Sequence, residues 1–552
     1  MQMECLLQCS ANYVPFTPIN FLERAAHVYG DKTSIVYGTT VRFSWRETYE
    51  RCLKIASALL KLQLSRGDIV AALAPNIPAL YKLHFAVPMA GAVLSALNTR
   101  LDAAMVASIL EQLEAKIMFV DYQFVELVLK ALNILSQKSV KPPLLVVIPE
   151  FDQAAASSTA NNLPPGSLVY NDVLEMGNSD HFEMLQPENE CDPISVNFTS
   201  GSTGHPKGVV YSHRAAYLNS LAQISRCDMK EMPVFLWTVD MFRCNGWCCT
   251  WALAALGGTN ICLRNVSAKV IFDSIFLHKV THFCGAPAIL NIIANASPSE
   301  QQPLQNNVNV VIAGALPTAQ ILEKVSKLGF NIGHAYGMTE VLGIATVRPW
   351  KTEWDSSTLD EHEKIRRREG LHSLFIQGVD VKDPSTMKSV PYDGKTIGEI
   401  MFKANSIMLG YLKNPKATQE VFRDGWYHTG DLAVRHPDGY IQIKDRKNDI
   451  IISGAATIST LEVEAVLLSN PKVSEAAVVG KPDDQLQQVP CAFVKLKDGC
   501  DSNPEELVKF CEGYLPSYMV PRAVVFEDIP VNSTGKVQKF TLREKLSKCR
   551  IS

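Results

Sequence analysis

Thr199-Ser200-Gly201-Ser202-Thr203-Gly204-His205-Pro206-Lys207-Gly208 is the stretch on which the reading of this chain turns. The apolar run Ile194-Ser195-Val196-Asn197-Phe198 leads into it and reads as a short strand; Val209-Val210-Tyr211 leads out. Three glycines let backbone N–H groups approach an anion closely, four hydroxyls add donors, and Lys207 adds a positive charge. That is the chemistry of a triphosphate cradle. A Ser/Gly-rich surface linker has similar composition, but a linker does not ordinarily sit between two strand-like runs. The P-loop pattern fails here, because Lys207 follows Pro206, which has no N–H to offer a phosphate. It fails twice more: Gly394-Lys395-Thr396 has Ser389 where the leading glycine belongs, and Gly535-Lys536 is followed by Val537.

Bulk properties bound the rest. A chain of 552 residues exceeds what one core supports and should divide into domains. Its composition, 47% hydrophobic and 20% charged, is that of an ordinary globular protein. The net charge of −3 gives no global attraction to nucleic acid or anionic membrane, so any phosphate binding must be local. Fourteen scattered cysteines without a signal-peptide pattern point to a reducing compartment, and cytosol is the expectation. Cys244, Cys248 and Cys249 lack a second Cys/His pair at zinc spacing and read as buried small hydrophobes. Val70 to Asn98 is strongly apolar but is interrupted by Pro75, Asn76, Lys82 and His84, which makes it core and not a membrane span.

In chain order, Ile19–Ala26 has helical amphipathicity, Thr33–Tyr37 reads as a strand, and Ser44–Leu62 reads as a long helix capped by Ser44. Strand Ile69–Leu73, helix Ile77–Ala90 and strands Val93–Leu97, Lys116–Val120 and Leu144–Val147 follow. Val310–Ala313 and Asn331–His334 lie beyond the glycine-rich stretch. Such alternation implies parallel sheets covered by helices. The polar interval Gln153–Pro165 reads as a surface loop. Near Asp445–Asp449 a charged run suits a hinge, so the expected division is 1–445 and 446–552, the latter with strands at Glu475–Val479 and Ala492–Leu496.

Three further stretches carry candidate chemistry. In Tyr336-Gly337-Met338-Thr339-Glu340 an exposed aromatic could stack on a purine, while hydroxyl and carboxylate could hold phosphate and Mg²⁺. In Trp426-Tyr427-His428-Thr429-Gly430-Asp431 a carboxylate at a strand end could accept ribose hydroxyls. Asn532-Ser533-Thr534-Gly535-Lys536-Val537 places a lysine on a glycine-containing turn. Each has a bland counterpart: a Tyr-Gly turn, a surface salt bridge, a solvated lysine.

Together with the glycine-rich decapeptide these stretches resemble the adenylate-forming (AMP-binding) superfamily, the acyl-CoA synthetases and their relatives. The resemblance covers nearly the whole chain and is closest to the plant acyl-activating enzymes. It implies a large N-terminal domain of parallel sheets with a β-barrel-like subdomain, and a small mobile α+β C-terminal domain. It implies that Thr199, Ser200, Gly201, Ser202, Thr203, Gly204 and Lys207 cradle the phosphates of ATP, and that Gly314 and Ala315 flank adenine. By the same resemblance Tyr336 stacks on adenine with Gly337 beside it in the nucleotide site, Thr339 touches the α-phosphate, and Glu340 holds Mg²⁺. Asp431 and Arg446 would take the ribose, and Lys536 would bridge the substrate carboxylate and the α-phosphate as principal catalytic residue. A charge so placed is worth about 3–4 kcal/mol to a transition state. The implied reaction activates a small organic or fatty acid as its adenylate and passes the acyl group to coenzyme A. The expected protein is a monomer or homodimer with no nucleic-acid partner and no stable membrane insertion.

Four departures cluster on the thioester half-reaction. Relatives read Pro-Met-Phe-His-x-Asn-Gly where this chain has Asp240-Met241-Phe242-Arg243-Cys244-Asn245-Gly246, so Arg243 puts a permanent cation at the acyl gate. Either Asp240 neutralises it, or it recognises a second carboxylate on the substrate. Ala455, in Gly454-Ala455-Ala456-Thr457, replaces a tunnel glycine. Leu486-Gln487-Gln488 replaces Trp-Gly-Glu, and Asn448 stands at the hinge position. These leave open a second reading, a non-catalytic relative that binds nucleotide and modulates a partner enzyme. The acyl pocket would draw on Trp237, Phe242, Asn245–Trp247, Cys284–Ala286 and Gly333–Ala335. The terminal Cys549-Arg550-Ile551-Ser552 fits a prenylation pattern loosely and does not match the Ser-Lys-Leu type.

Overall fold

A computed structural model of the chain describes residues 9–150, 163–199, 206–314, 317, 319–348, 351–354, 356–454, 456–531 and 536–548. Ser200, Gly201, Ser202, Thr203, Gly204, Ala315, Ala455, most of the Gln153–Pro165 interval and the terminal Cys549–Ser552 lie outside the described residues.

Local sequence explains the first elements. The helix Ile19–Val28 buries Ile19, Phe21, Leu22, Ala25 and Ala26 on one face. The helix Trp45–Lys61 begins in a reciprocal capping box: Ser44 Oγ accepts from Glu47 N at 3.2 Å, and Glu47 Oε2 accepts from Ser44 N at 2.7 Å. The strands Thr33–Tyr37, Ile69–Leu73, Val93–Ala96, Ile117–Asp121 and Leu144–Ile148 fall where the apolar runs place them. The polar residues of the apolar stretch do not break its helix, Pro78–Met89, in which every residue is buried. Lys82 instead sets its ammonium 4.2 Å from the Phe43 ring centroid, and burial with repulsion from Arg51 lowers its pKa to about 7.

Two large sheets carry the site. One has eight strands, parallel from Ile69 through Val169 and including Pro193–Phe198, with Gly208–Ser212 and Gly410–Tyr411 added antiparallel at one edge. The other has nine; its parallel run of Val308–Ala313 beside Phe330–Met338 continues antiparallel into Gly343–Arg348. A five-stranded antiparallel sheet contains Gly398–Lys403, Trp426–Arg435 and Ile441–Arg446; it stands in place of the expected barrel-like subdomain, and among the described residues its strands do not pair into a closed ring. Among the described residues, the strands from Ile451 onward pair only with one another, in a fourth sheet of five strands covered by the helices Thr460–Ser469, Pro504–Glu512 and Lys539–Lys548. The chain is thus an α/β molecule with a smaller α+β C-terminal part.

A buried polar chain ties that part together where the two portions meet. Asp445 Oδ2 accepts from the Thr460 hydroxyl at 2.7 Å, and Lys539 Nζ donates to Thr460 Oγ1 and to Glu464 Oε1 at 2.5 and 2.7 Å. Asp445 and Lys539 are buried, and burial raises the pKa of both Asp445 and Glu464. Replacing one partner of such a group strands the other charges in low dielectric. Lys539→Met should therefore destabilise the C-terminal part by about 3–5 kcal/mol, read by urea unfolding. Both carboxyls have folded pKa values above their unfolded ones, so the fold disfavours their ionised form. The deficit should be full at pH 8 and shrink as pH falls through the raised pKa values; a deficit constant with pH would refute the assignment.

Candidate active site

The glycine-rich decapeptide closes a hairpin. The strands Pro193–Phe198 and Gly208–Ser212 pair antiparallel, and Thr199 N donates to Lys207 O at 3.0 Å. Thr199 Oγ1 is buried without a hydrogen-bond partner among the described residues, an orphaned oxygen of the kind a bound phosphate or its cation satisfies. Lys207 lies 4.3 Å from the centroid of the Tyr411 ring, in a strand that pairs directly with Val209 and Val210. Tyr411 Oη donates to Glu340 Oε1 at 2.8 Å, so one phenol touches the lysine of the first motif and the carboxylate of the second. Burial and the Glu340 charge push the Tyr411 pKa up, which keeps the hydroxyl a donor.

The second motif departs from the sequence expectation in one respect. Tyr336 is not an exposed platform on a turn; it lies within the strand Phe330–Met338, 9% exposed, with its ring 6.2 Å from that of Phe402. The reason is the pairing of this strand on both sides, with Val308–Ala313 and with Gly343–Arg348. Gly337 permits it: a Cβ there would lie 1.8 Å from Gly343 O. The register Ala313↔Ala335 brings Gly314, at φ +107°, level with Tyr336. Thr339 and Glu340 open a short 3₁₀ turn just beyond, and Thr339 O accepts from Tyr211 Oη at 2.6 Å.

Asp431 likewise sits mid-strand in Trp426–Arg435 and not at a strand end. It faces Arg446 across the ladder, with Nε to Oδ1 at 3.6 Å, and accepts from Tyr336 Oη at 2.7 Å. Burial raises its pKa against the pull of Arg446. Beside it Gly430, at φ +74°, donates to Glu399 Oε1 at 3.0 Å. Lys536 comes from the C-terminal part, yet the charges that act on it are Arg446, Asp431, Arg243 and Glu340. Crowding by protein, then Arg446, bias its pKa downward; the residue keeps solvent contact, so water screens that push.

Arg243 starts the least expected piece of backbone. Cys244, Asn245, Gly246, Trp247 and Cys248 all have φ between +46° and +65°, a left-handed turn closed by Trp247 N donating to Arg243 O at 3.0 Å. Each non-glycine residue in that conformation costs about 1–2 kcal/mol. Three hydrogen bonds hold it: Asn245 N to Asn197 Oδ1 (2.8 Å), Ser195 Oγ to Asn245 Oδ1 (2.8 Å), and Thr250 Oγ1 to Asn245 O (3.0 Å). Asn197 and Ser195 belong to the strand that feeds the glycine-rich hairpin, and Cys248 Sγ donates to Leu342 O just past Glu340. The turn therefore links the first motif to the second. Of the two sequence hypotheses for Arg243, the ion pair is present: its Nε donates to Asp240 Oδ2 at 2.9 Å.

Of the proposed acyl-pocket residues, Trp237, Phe242 and Cys284 are buried, and Trp237 Nε1 donates to Asn260 Oδ1 at 2.9 Å. His334 is bonded to Glu369 at 2.6 Å. Trp251 is core, whereas Trp247 is partly exposed. Cys244, Cys248 and Cys249 are all buried. No described helix is long and apolar enough to cross a membrane. Sequence reasoning missed Tyr411, Tyr211, Glu399 and the left-handed turn. Gly410 beside Tyr411 and the Asn245-Gly246 pair within the turn were the local signals for them.

Comparison with known proteins places these features. Residues 22–412 match the family model described as AMP-binding enzyme, and residues 462–536 match the AMP-binding enzyme C-terminal domain. The chain is 48% identical to an acetate–CoA ligase of Humulus lupulus, over 97% of this chain and 95% of that one. It is 44% identical to a peroxisomal trans-cinnamate:CoA ligase of Petunia hybrida, over 98% and 96%. An anthranilate CoA ligase solved with anthranoyl-AMP shares the fold, with a TM-score of 0.81 at 21% identity over 99% of this chain and all of that one.

Gly246 marks the point where the turn has no slack. A Cβ there would meet the Trp237 ring at 2.6 Å. Gly246→Ala should lower stability by about 2–4 kcal/mol from overpacking and left-handed strain together, read as a fall in unfolding midpoint. An unshifted midpoint would mean the turn is not strained.

Proposed function

This chain belongs to the AMP-binding enzyme family, and from that premise we propose that it is an ATP-dependent acid–CoA ligase. It would adenylate a small organic or fatty acid, release pyrophosphate, and transfer the acyl group to coenzyme A. The observation that carries this reading is the pair of phenols that joins three of the motifs: Tyr411 lies beside Lys207 and donates to Glu340, and Tyr336 donates to Asp431.

A carboxylate is a poor electrophile because its charge repels nucleophiles. Joining it to AMP removes the charge and supplies a good leaving group. Lys207 and the orphaned Thr199 hydroxyl would hold the phosphates at the hairpin, and Gly314 with the Tyr336–Gly337 backbone would border adenine. Asp431, kept in place by the Tyr336 hydroxyl and Arg446, would accept the ribose hydroxyls; Thr339 would donate to the α-phosphate. The Glu340 carboxylate is a hard oxygen donor of the kind that Mg²⁺ takes, and it would hold that ion. When bound, that ion would neutralise phosphate charge. Lys536 would sit between substrate carboxylate and α-phosphate, where negative charge develops during attack.

The division at Asp445–Asp449 into residues 1–445 and 446–552 is part of this proposal. It is supported by strand pairing, which closes within the third sheet at Arg446 and restarts in the fourth at Ile451. A swing there would withdraw Lys536 after adenylation and bring the hairpin Ile451–Ile458 towards the acyl group for the thiol step. We place the protein in the cytosol; the described cysteines are free of disulfides, in keeping with a reducing compartment.

Pyrophosphate release with a panel of acids, with and without coenzyme A, tests the reading. Lys536→Ala should cut adenylation about 100- to 1,000-fold with little change in ATP affinity. Tyr411→Phe, which keeps the ring under Lys207 but removes the donor to Glu340, should raise the KM for Mg·ATP about tenfold. No ATP consumption with any acid would refute the proposal.

A further inference from the structure

The ion pair to Asp240 does not use up Arg243. It engages Nε alone, and no hydrogen bond or ion pair to either Nη is found among the described residues. Asp240 is also shared: the same Oδ2 accepts from Arg100 Nη1 at 3.3 Å. Two guanidinium groups on one carboxylate leave the cluster one positive charge in excess. The Arg243 side chain is 26% exposed, against 54% for Arg100, so the excess is partly shielded from bulk water on the Arg243 side.

Where that charge stands is set by backbone. Arg243 heads the left-handed turn, whose far end is bonded to Leu342 O, two residues beyond Glu340. Its guanidinium carbon lies 5.3 Å from the ring centroid of buried Phe242, which limits its swing. The strain of the turn means the side chain's root cannot drift without breaking the Asn245 contacts with Ser195 and Asn197. A planar cation fixed at Nε, with an unused Nη edge, is the geometry that takes a carboxylate end-on through two parallel hydrogen bonds.

We infer that Arg243 is a specificity residue: its free edge receives a second carboxylate of the acid substrate, and Asp240 positions it. The inference rests on the acid–CoA ligase reading and deepens it, for it makes the preferred substrates dicarboxylic acids. A plain monocarboxylate would leave the Nη edge of this cation partly desolvated without a hydrogen-bond acceptor, which penalises it.

The test is pyrophosphate release by the full-length protein with acids matched in chain length: malonate against propionate, succinate against butyrate, glutarate against pentanoate. For at least one pair the dicarboxylate should show kcat/KM about 10- to 100-fold higher, the range expected for a paired, partly buried charge. Arg243→Met should reduce that ratio towards unity. Arg243→Lys, which keeps charge but loses the fork, should restore it only in part. Asp240→Asn, acting through positioning, should raise KM for the dicarboxylate more than it lowers kcat. Preference for the monocarboxylate in every pair would overturn the inference while leaving the ligase reading intact. Equal losses for both acids in Arg243→Met would also overturn it. Turnover of none of the acids, nor of any other acid offered, would bring down both.

Discussion

Tyr411 is the contact on which the site's geometry depends. Its backbone extends the sheet that carries the glycine-rich hairpin, its ring lies beside Lys207, and its hydroxyl holds Glu340. The ammonium of the first motif and the carboxylate of the second thus share one rigid aromatic, which fixes their spacing. A second phenol does the same one layer away: Tyr336 spans from the nine-stranded sheet to Asp431 in the antiparallel sheet. Preorganised donors of this kind need no reorientation during reaction, which is why rigid, two-ended side chains suit the work better than long flexible ones.

Backbone strain is the other means by which the elements are coupled. The left-handed turn at Cys244–Cys248 would unwind if left to local preference, since four of its five residues carry a Cβ. It persists because Asn197 and Ser195 supply hydrogen bonds from one sheet and Trp237 closes over Gly246 from the other. The strand entering the hairpin therefore has two tasks, carrying the glycine-rich stretch and clamping the left-handed turn. Substitution at Asn197 would be felt at both, although neither site would show a lost ligand contact.

How much of this was legible follows from what each feature depends on. The helix from Trp45 and the strands from Thr33 to Ile148 were readable because periodicity and a capping box are local properties. The candidate residues of the four motifs were readable because their chemistry is compact in sequence. Tyr336 and Asp431 were found but mislocated, as turn and strand end, because pairing across Gly337 and across Arg446 depends on partners distant in sequence. Tyr211 and Glu399 were not legible, and Tyr411 only faintly, through the glycine before it. Each is a single residue whose meaning arises only when sheets from different stretches meet. The left-handed turn was legible only at its centre: Asn245-Gly246 is a pair that tolerates positive φ, whereas Cys244, Trp247 and Cys248 give no local hint that the turn runs over five residues.

Charge distribution links these points to function. The chain carries a net −3, so nothing draws a polyanion to the surface at large. At the site, Lys207, Arg243, Arg446 and Lys536 stand with Asp240, Glu340 and Asp431 as their counter-charges. The balance is only one positive charge, small beside that of a triphosphate, so attraction by net charge is not what would select a nucleotide. Selection must come from direction. Asp431 and Glu340 are tied back by Tyr336 and Tyr411, while Lys207 and Lys536 approach from separate lobes. Cations that must be brought together stabilise charge only where it concentrates. That condition is met more fully by the phosphorus under attack than by the resting substrates, and a site assembled this way favours the transition state over the ground state.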